Sequence, residues 1–458
     1  MKNQLTYILI LSFFLTGCSK EFTDLSPISQ RNVNAFYRNG DDMIIAVNAA
    51  YKALQMNGTY NQSYWLLNEM RSDNTDGGFD QTGLGADLNI LDNFGENAAT
   101  SELVTASYLD SYVGVSRCNL ILSRIDAVSM ADDLKNRIKG ESLFLRALFY
   151  YNLAVDFGRI PLVLKEISVE EGKSYPQVPA ADVYKQLVTD LIQAETYLPI
   201  RYGSADLGRA TKGAAATLLA KIYLTMGNKA DAVPVLRRVI SIYGYSLVTS
   251  YARIWGIANE NNVESVFEVQ FKGGGTNTGN AFTNAFSALL IQSTGSYKNR
   301  PTADMEAAYE RGDQRLSASM NPLGGPLNAN RFILKYGTTT AYNEGDADYN
   351  FIVLRYADVL LMLAEALGET TESYALINQV RTRAGLAGLT AASPGTFTDK
   401  LLHERRVELA FENHRWPDLL RFGKAREVMV AQGKTPRLLF LIPQRELDIN
   451  STYTQNPL

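Results

Sequence analysis

The run Ile352-Val-Leu-Arg-Tyr-Ala-Asp-Val-Leu-Leu-Met-Leu-Ala-Glu-Ala-Leu367 sets the tightest limit on how this chain folds. It is apolar on nearly every face, so it predicts a fully buried helix and excludes a surface helix with one apolar stripe. A chain of 458 residues is long enough to build the large core that such a helix needs around it. A second helix is predicted over Thr371 to Ala384, after only a few polar residues, which makes the two antiparallel neighbours. From Leu401 to Phe422, Val407, Ala410, Phe411 and His414 fall at i, i+3, i+4 and i+7, one apolar stripe. Glu404, Glu408 and Glu412 repeat beside it, with Arg405, Arg406, Arg415, Asp418 and Arg421 within reach as partners. This pattern predicts a half-buried ion network that locks the packing. Pro417 interrupts the pattern and is expected to restart a helix at its first turn.

Earlier in the chain, helical periodicity covers Asp41–Met56, Thr100–Ala127, Asp132–Phe157, Ala181–Leu198, Thr211–Met226 and Lys229–Tyr243. The pair around Ala214 to Ala232 fits a tetratricopeptide repeat: small residues for close approach, Tyr223 to pack, Gly227-Asn228 to turn. Ile352–Ala384 is a looser copy. Asn57 to Ala99 and Tyr245 to Tyr349 are long and irregular, with short strand-like runs at Val263–Phe271 and Arg331–Tyr336. The fold class expected is therefore mainly α: a degenerate tetratricopeptide-like helical-repeat scaffold with long irregular loop regions and a few short strands. Long irregular segments within one compact domain often carry function.

At the N-terminus, Lys2 precedes an apolar run from Leu5 to Leu15 that is too short to span a bilayer. Leu15-Thr-Gly-Cys18 then matches a bacterial lipoprotein box, in which the Cys thiol takes a diacylglycerol before cleavage. Residues 1–17 read as a lipoprotein signal peptide and 18–34 as a lipid-anchored tether carrying Pro27. Residues 35–458 read as a single domain whose loop insertions are 57–99 and 245–349. Once Cys18 is acylated, Cys118 has no partner and is expected to be a small buried hydrophobe.

Arg355-Tyr-Ala-Asp-Val-Leu-Leu-Met-Leu-Ala-Glu-Ala366 and Glu404-Arg-Arg-Val-Glu-Leu-Ala-Phe-Glu412, followed by Arg415 and Asp418, closely resemble the C-terminal half of the SusD/RagB family. Leu441-Ile-Pro-Gln-Arg-Glu446 through Asn450 to Gln455-Asn-Pro457 is similar to that family's ending. The resemblance implies a surface lipoprotein of the cell outer membrane that binds a nutrient, mostly glycans, and sits on a SusC-like TonB-dependent transporter. It implies an oligosaccharide, or a peptide, as ligand, and a position facing the exterior.

A formal charge of −4 gives no electrostatic case for nucleic acid. With 25 Tyr against 2 His, contact surfaces are favoured over imidazole chemistry. His403-Glu404 suggests a zinc motif, but His414 is too far along to share its helix face as a ligand, so no metal is expected. Gly273–Gly279 lacks the Lys-Ser/Thr of a phosphate loop and reads as a surface loop. Asp156-Phe-Gly158 reads as a helix end and not as kinase chemistry. No triad is legible, and neither catalytic residues nor a cofactor are expected.

The stretch that most invites a ligand runs from Trp65 to Asp80. Arg71, Asp73, Asn74 and Asp76 offer donors and acceptors, while Trp65, Phe79 and Phe94 offer flat apolar faces. Carbohydrate asks for that combination, since hydroxyls need polar partners and C–H faces stack on aromatics. The same residues can equally be core and turn caps. Trp255, Tyr297 and Tyr336 are further candidates. Two other functions fit the same features: an outer-membrane assembly scaffold, and a glycoside hydrolase with two carboxylates across a sugar.

Overall fold

The computed structural model describes residues 37–78, 82–288, 296–327, 329–337 and 345–457. Its helices are α1 (Gly40–Ala53), α2 (Ser63–Met70), α3 (Leu84–Asp92), α4 (Glu102–Arg124), α5 (Asp132–Phe157) and α6 (Ala180–Tyr197). They continue with α7 (Lys212–Thr225), α8 (Lys229–Ile242), α9 (Tyr356–Leu367), α10 (Thr371–Arg383), α11 (Phe397–Glu408) and α12 (Arg415–Arg421), besides shorter turns. The helices expected before residue 250, and α10, end within three residues of their predicted limits.

Consecutive packing builds the scaffold. α1 lies on α4, and from α4 to α10 each long helix packs against the next one in the chain. This is the repeat-like stack of hairpins that the Ala214–Ala232 pattern predicts. Local chemistry sets the ends. Thr211 caps α7 by accepting from Ala214 N at 3.2 Å, and Asn228 caps α8 through Asp231 N at 3.3 Å. Thr396 and Asp399 form a capping box on α11. Gly158 closes α5 at φ 67°, a positive value that glycine adopts without a Cβ penalty.

Where α4 and α5 meet, a Cβ on Gly114 would sit 2.3 Å from the Phe149 ring. Gly114→Val is therefore expected to lose about 2–3 kcal/mol by overpacking. A lower urea midpoint at unchanged m-value is the check.

Three expectations for the C-terminal stretch are corrected. First, Ile352–Arg355 is not the start of the buried helix. Phe351–Arg355 is a strand paired antiparallel with Ser265–Val269, aligning Phe351 with Val269 and Ile352 with Glu268. The β-branched Ile352-Val353 pair suits a strand, and Arg355, extended at φ −141°, occupies the N-cap position of α9. From Tyr356 to Glu365 the helix is buried all round, as its composition predicts.

Second, Leu401–Phe422 is two helices, and α11 stops at Glu408. Phe411 and Asn413 both sit at φ 65°, so the stripe through Val407, Ala410, Phe411 and His414 is buried but does not lie along one helix. Distant side chains satisfy the carbonyls freed by the break: Lys335 Nζ donates to Ala410 O (2.6 Å) and Tyr336 OH to Phe411 O (2.8 Å). Pro417 lies in the first turn of α12, as expected.

Third, the ion network is fully buried and recruits partners from elsewhere. Glu404 accepts from Arg315 (2.6 Å) and Arg381 (3.0 Å). Glu408 joins Arg315, Arg355 and Arg383, and Glu412 joins Lys335 and Arg355. Within the stretch itself, Asp418 pairs with Arg405 (2.7 Å) and Arg421 (3.0 Å). Cys118 is buried and free, and burial pushes its thiol up to about 12.

Candidate functional site

The Trp65–Phe94 stretch is largely interior. Every residue of α2 is buried, and Trp65 sets its ring edge-on to Phe286 at 4.3 Å. The Arg71 guanidinium lies 3.5 Å from the centre of the Phe440 ring and 5.1 Å from that of Phe94. It donates to Arg437 O and pairs with Glu96. Phe94, at φ 57°, packs on Trp416.

Asp73 takes a two-pronged contact from Arg415 (2.7 and 2.8 Å), and Asn74 Oδ1 accepts from Arg406 (2.9 Å). Burial raises the Asp73 carboxyl's pKa, but Arg415 and Arg406 outweigh it and hold the group below the usual range. Asp76 is half-exposed and gripped by Arg300 (2.9 and 2.7 Å), beside the short ladder of Thr75–Asp76 on Arg300–Pro301. Phe79 lies outside the described residues.

So the stretch acts as a clasp that ties the first loop region to the second and to α11–α12. Its polar groups meet arginines, and its aromatics meet core. The second-region aromatics behave alike. Trp255 and Tyr336 are buried in one aromatic cluster, with Lys335 Nζ 4.4 Å from the Trp255 ring centre, and Tyr297 is half-buried.

An open cleft does form where the two loop regions meet elsewhere. It encloses about 580 Å³ between the end of α1, the 54–62 turn, the glycine-rich loop and Asp346. Lys52, Gln55, Asn57, Asn61, Asp110 and Asn277 supply polar lining. Glycine is required here. A Cβ on Gly279 would fall 2.3 Å from Asp346 Oδ1, and one on Gly58 would fall 2.0 Å from Ala106 O.

The carboxylates hold the walls. Asp346 accepts from Gly274 N (3.2 Å) and Gly275 N (2.8 Å), Asp348 from Gly273 N (2.6 Å), and Asp110 from Gly58 N (2.7 Å). Burial raises the Asp110 carboxyl's pKa, opposed by the Gly58 N–H and Arg117. Asn57 is exposed; its Oδ1 accepts from Asn61 Nδ2 (2.8 Å) and its carbonyl accepts from Ser63 N (2.7 Å). A second hollow of about 350 Å³ shares Lys52 and Gln55 and adds Tyr51, Gln270, Thr278 and Arg209. Together they make a groove of amides, Lys52, Arg209, Tyr51 and several carboxylates, suited to a ligand rich in hydroxyls.

Sequence reasoning missed these residues. It discounted Gly273–Gly279 as a loop without a motif. The usable signal was the density of Gly and Asn at both ends of the cleft, in Asn57-Gly-Thr-Tyr-Asn61 and Gly273–Gly279. Among the described residues no cluster of His, Cys, Asp and Glu fits a metal ion, and no helix is long and apolar enough to cross a membrane.

Residues 317–438 match the model of the SusD family, and residues 26–224 match that of a family described as "Starch-binding associating with outer membrane". The chain belongs to the SusD/RagB family. SusD-like protein P2 of Formosa agariphila is 24% identical over 99% of this chain and 95% of its own. A laminarin-binding SusD-like protein of known structure is 29% identical at a TM-score of 0.82, covering 92% of this chain and 100% of its own. A SusD superfamily protein from Bacteroides vulgatus is 26% identical at a TM-score of 0.80, covering 92% and 99%. These SusD-like neighbours share the helical, tetratricopeptide-like architecture described above.

Proposed function

We propose that the protein is an outer-membrane lipoprotein that binds an oligosaccharide without cleaving it and hands it to a SusC-like TonB-dependent transporter. The observation that carries this reading is the end-to-end likeness to the laminarin-binding SusD-like protein. The polar groove from Asn57 and Asp346 to Arg209 is where we place the glycan. The anchor is Cys18, after a signal peptide over 1–17 and before a tether over 18–34, all outside the described residues. Residues 35–458 then act as one domain facing the exterior. Each buried methylene of the lipid contributes about 0.8 kcal/mol, so several acyl chains hold the protein without a spanning helix.

Hydroxyls already bonded to water net only about 0.5–1.5 kcal/mol per exchanged hydrogen bond. Affinity should thus be weak, roughly micromolar to millimolar, which suits capture and release. Calorimetry on a panel of α- and β-glucan oligosaccharides should find such a binder. Asn57→Ala and Lys52→Met should each weaken it by roughly fivefold, the loss of about one hydrogen bond. Unchanged affinity in both variants would move the site to the loop edge at Asp76 and Arg300. Shortened oligosaccharides after incubation would replace binding with hydrolysis. Mild-detergent isolation of the native lipoprotein should recover a large barrel protein, and recovery of an assembly machine in its place would favour the scaffold reading.

A further inference from the structure

A third hollow, of about 320 Å³, shares no residue with the Asn57–Asp346 cleft and adjoins the second hollow at Leu207, Arg209 and Glu268. It forms where the loop after α6, the end of α8 and the strand Ser265–Val269 come together. Its walls are cut to shape by glycine. A Cβ on Gly213 would lie 2.4 Å from the Tyr245 ring, and one on Gly244, at φ 75°, would lie 2.3 Å from Arg201 Nη2. Tyr245 therefore packs close against α7 at Gly213, and the Arg201 guanidinium rests on the Gly244 backbone.

The charges around the hollow are mostly committed. Arg209 is held by Asp206 (2.6 Å) and Glu141 (3.2 Å). Glu268, buried on the strand, accepts from Asn261 N (2.9 Å) and Asn350 Nδ2 (3.0 Å). Arg201 is exposed and has neither an ion pair nor a hydrogen bond among the described residues. Burial raises the Tyr245 phenol's pKa, opposed first by its hydrogen bond with Thr211 (2.9 Å) and then by the Arg201 charge. Around this free cation the rim is aliphatic: Ile200, Leu207 and Val263 are 43%, 55% and 48% exposed, which is unusual for three large apolar side chains on one hollow.

We propose that this hollow binds a small monocarboxylate on a flat apolar body, an aryl or cyclic-aliphatic acid, with the carboxylate on Arg201 and the body between Tyr245 and the Leu207–Val263 rim. A guanidinium takes a carboxylate through two parallel hydrogen bonds, and a half-apolar surround leaves that pair less screened than in open water. Glu268, which lines the hollow, disfavours a doubly charged phosphate more than a singly charged carboxylate. The aliphatic rim disfavours a sugar acid, whose hydroxyls would lose water there without partners. Leu207 and Arg209 line the glycan groove as well, but Arg201, Tyr245 and Val263 do not, so the acid preference set by Arg201 holds or fails independently of that reading.

Calorimetry on the full chain at pH 7, with phenylacetate, phenylacetamide and glucuronate, tests this. Phenylacetate should bind at least tenfold more tightly than its neutral amide and more tightly than glucuronate. Arg201→Gln should erase the preference for the acid, while Leu207→Ser should weaken acid and amide alike. Both residues are exposed, so neither change threatens the fold. No binding of phenylacetate, equal binding of acid and amide, wild-type affinity in Arg201→Gln, or a preference for glucuronate would each overturn the proposal.

Discussion

Glu408→Gln should destabilise the protein by about 3–5 kcal/mol, the usual result of removing one partner from a buried ion cluster. One carboxylate here serves three guanidinium groups. Oε1 accepts from Arg355 (2.5 Å) and Arg383, and Oε2 accepts from Arg315 (3.0 Å). Burial opposes the Glu408 charge, but the three arginines overwhelm it and drive the carboxyl far below its usual pKa. Glutamine preserves shape, removes the charge, and turns an amide donor toward cations that can only donate. The three arginines would then be buried with too little negative charge. Urea denaturation at pH 7 measures the loss. Glu372→Gln is the control, since its two-pronged pair with Arg237 (2.8 and 2.9 Å) is fully exposed and should change nothing measurable. Equal midpoints for the two variants would mean that the buried cluster contributes no more than a surface pair.

Asp156→Asn should act in the opposite direction and stabilise the protein at pH 8. Asp156 is fully buried near the end of α5, and one of its oxygens has no hydrogen-bond partner. Burial pushes its carboxyl up to about 7, despite the pull of Asn68 and Arg71. A folded-state pKa above the unfolded one means that the folded protein holds its proton longer. The site therefore costs nothing below about pH 4, and its penalty builds as pH rises to about 7.

That span corresponds to an upper limit of about 4 kcal/mol at pH 8. The advantage of the variant over the wild type should shrink steadily toward pH 4. Other groups titrate in the same window. Glu69 and Glu260, both also raised to about 7, act with the same sign. His414, lowered to about 3 chiefly by burial, acts oppositely and loses stability as pH falls below its unfolded pKa of about 6.5. The difference between variant and wild type cancels these shared contributions. A difference that does not vary between pH 4 and 8 would show that Asp156 stays ionised throughout.

What the sequence revealed depended on how local each signal was. Helix limits at Asp132–Phe157, the turn at Gly227-Asn228 and the restart at Pro417 follow from periodicity, capping and backbone restriction, which act over a few residues. Ile352–Arg355 was ambiguous because a short apolar run satisfies both strand and helix, and its strand partner lies at Ser265–Val269. The charge clusters were visible, but their pairing was not. Glu404, Glu408 and Glu412 find Arg315 and Lys335 in the second loop region, where no periodic pattern announces them.

The ligand-facing reading of Arg71, Asp73 and Asn74 met the same limit. Polar side chains look alike in sequence whether they face a sugar or an arginine that is 342 residues away, as Arg415 is from Asp73. The groove residues Asn57, Asn61 and Asn277 gave only a compositional hint, because what makes them a site is the meeting of two distant loops.

The clasp between Asp73 and Arg415 also governs timing during synthesis. Arg71 waits for the carbonyl of Arg437, 366 residues later, and Asp73 for Arg415. A chain made from its N-terminus therefore emerges with Asp73 lacking both Arg406 and Arg415 until its last few dozen residues exist, whereas Arg71 meets Glu96 only 25 residues on. Contacts this distant also make for slow folding. Under the proposed export as a lipoprotein, such lateness would be useful, because the Asp73–Arg415 seam cannot close until most of the chain is available.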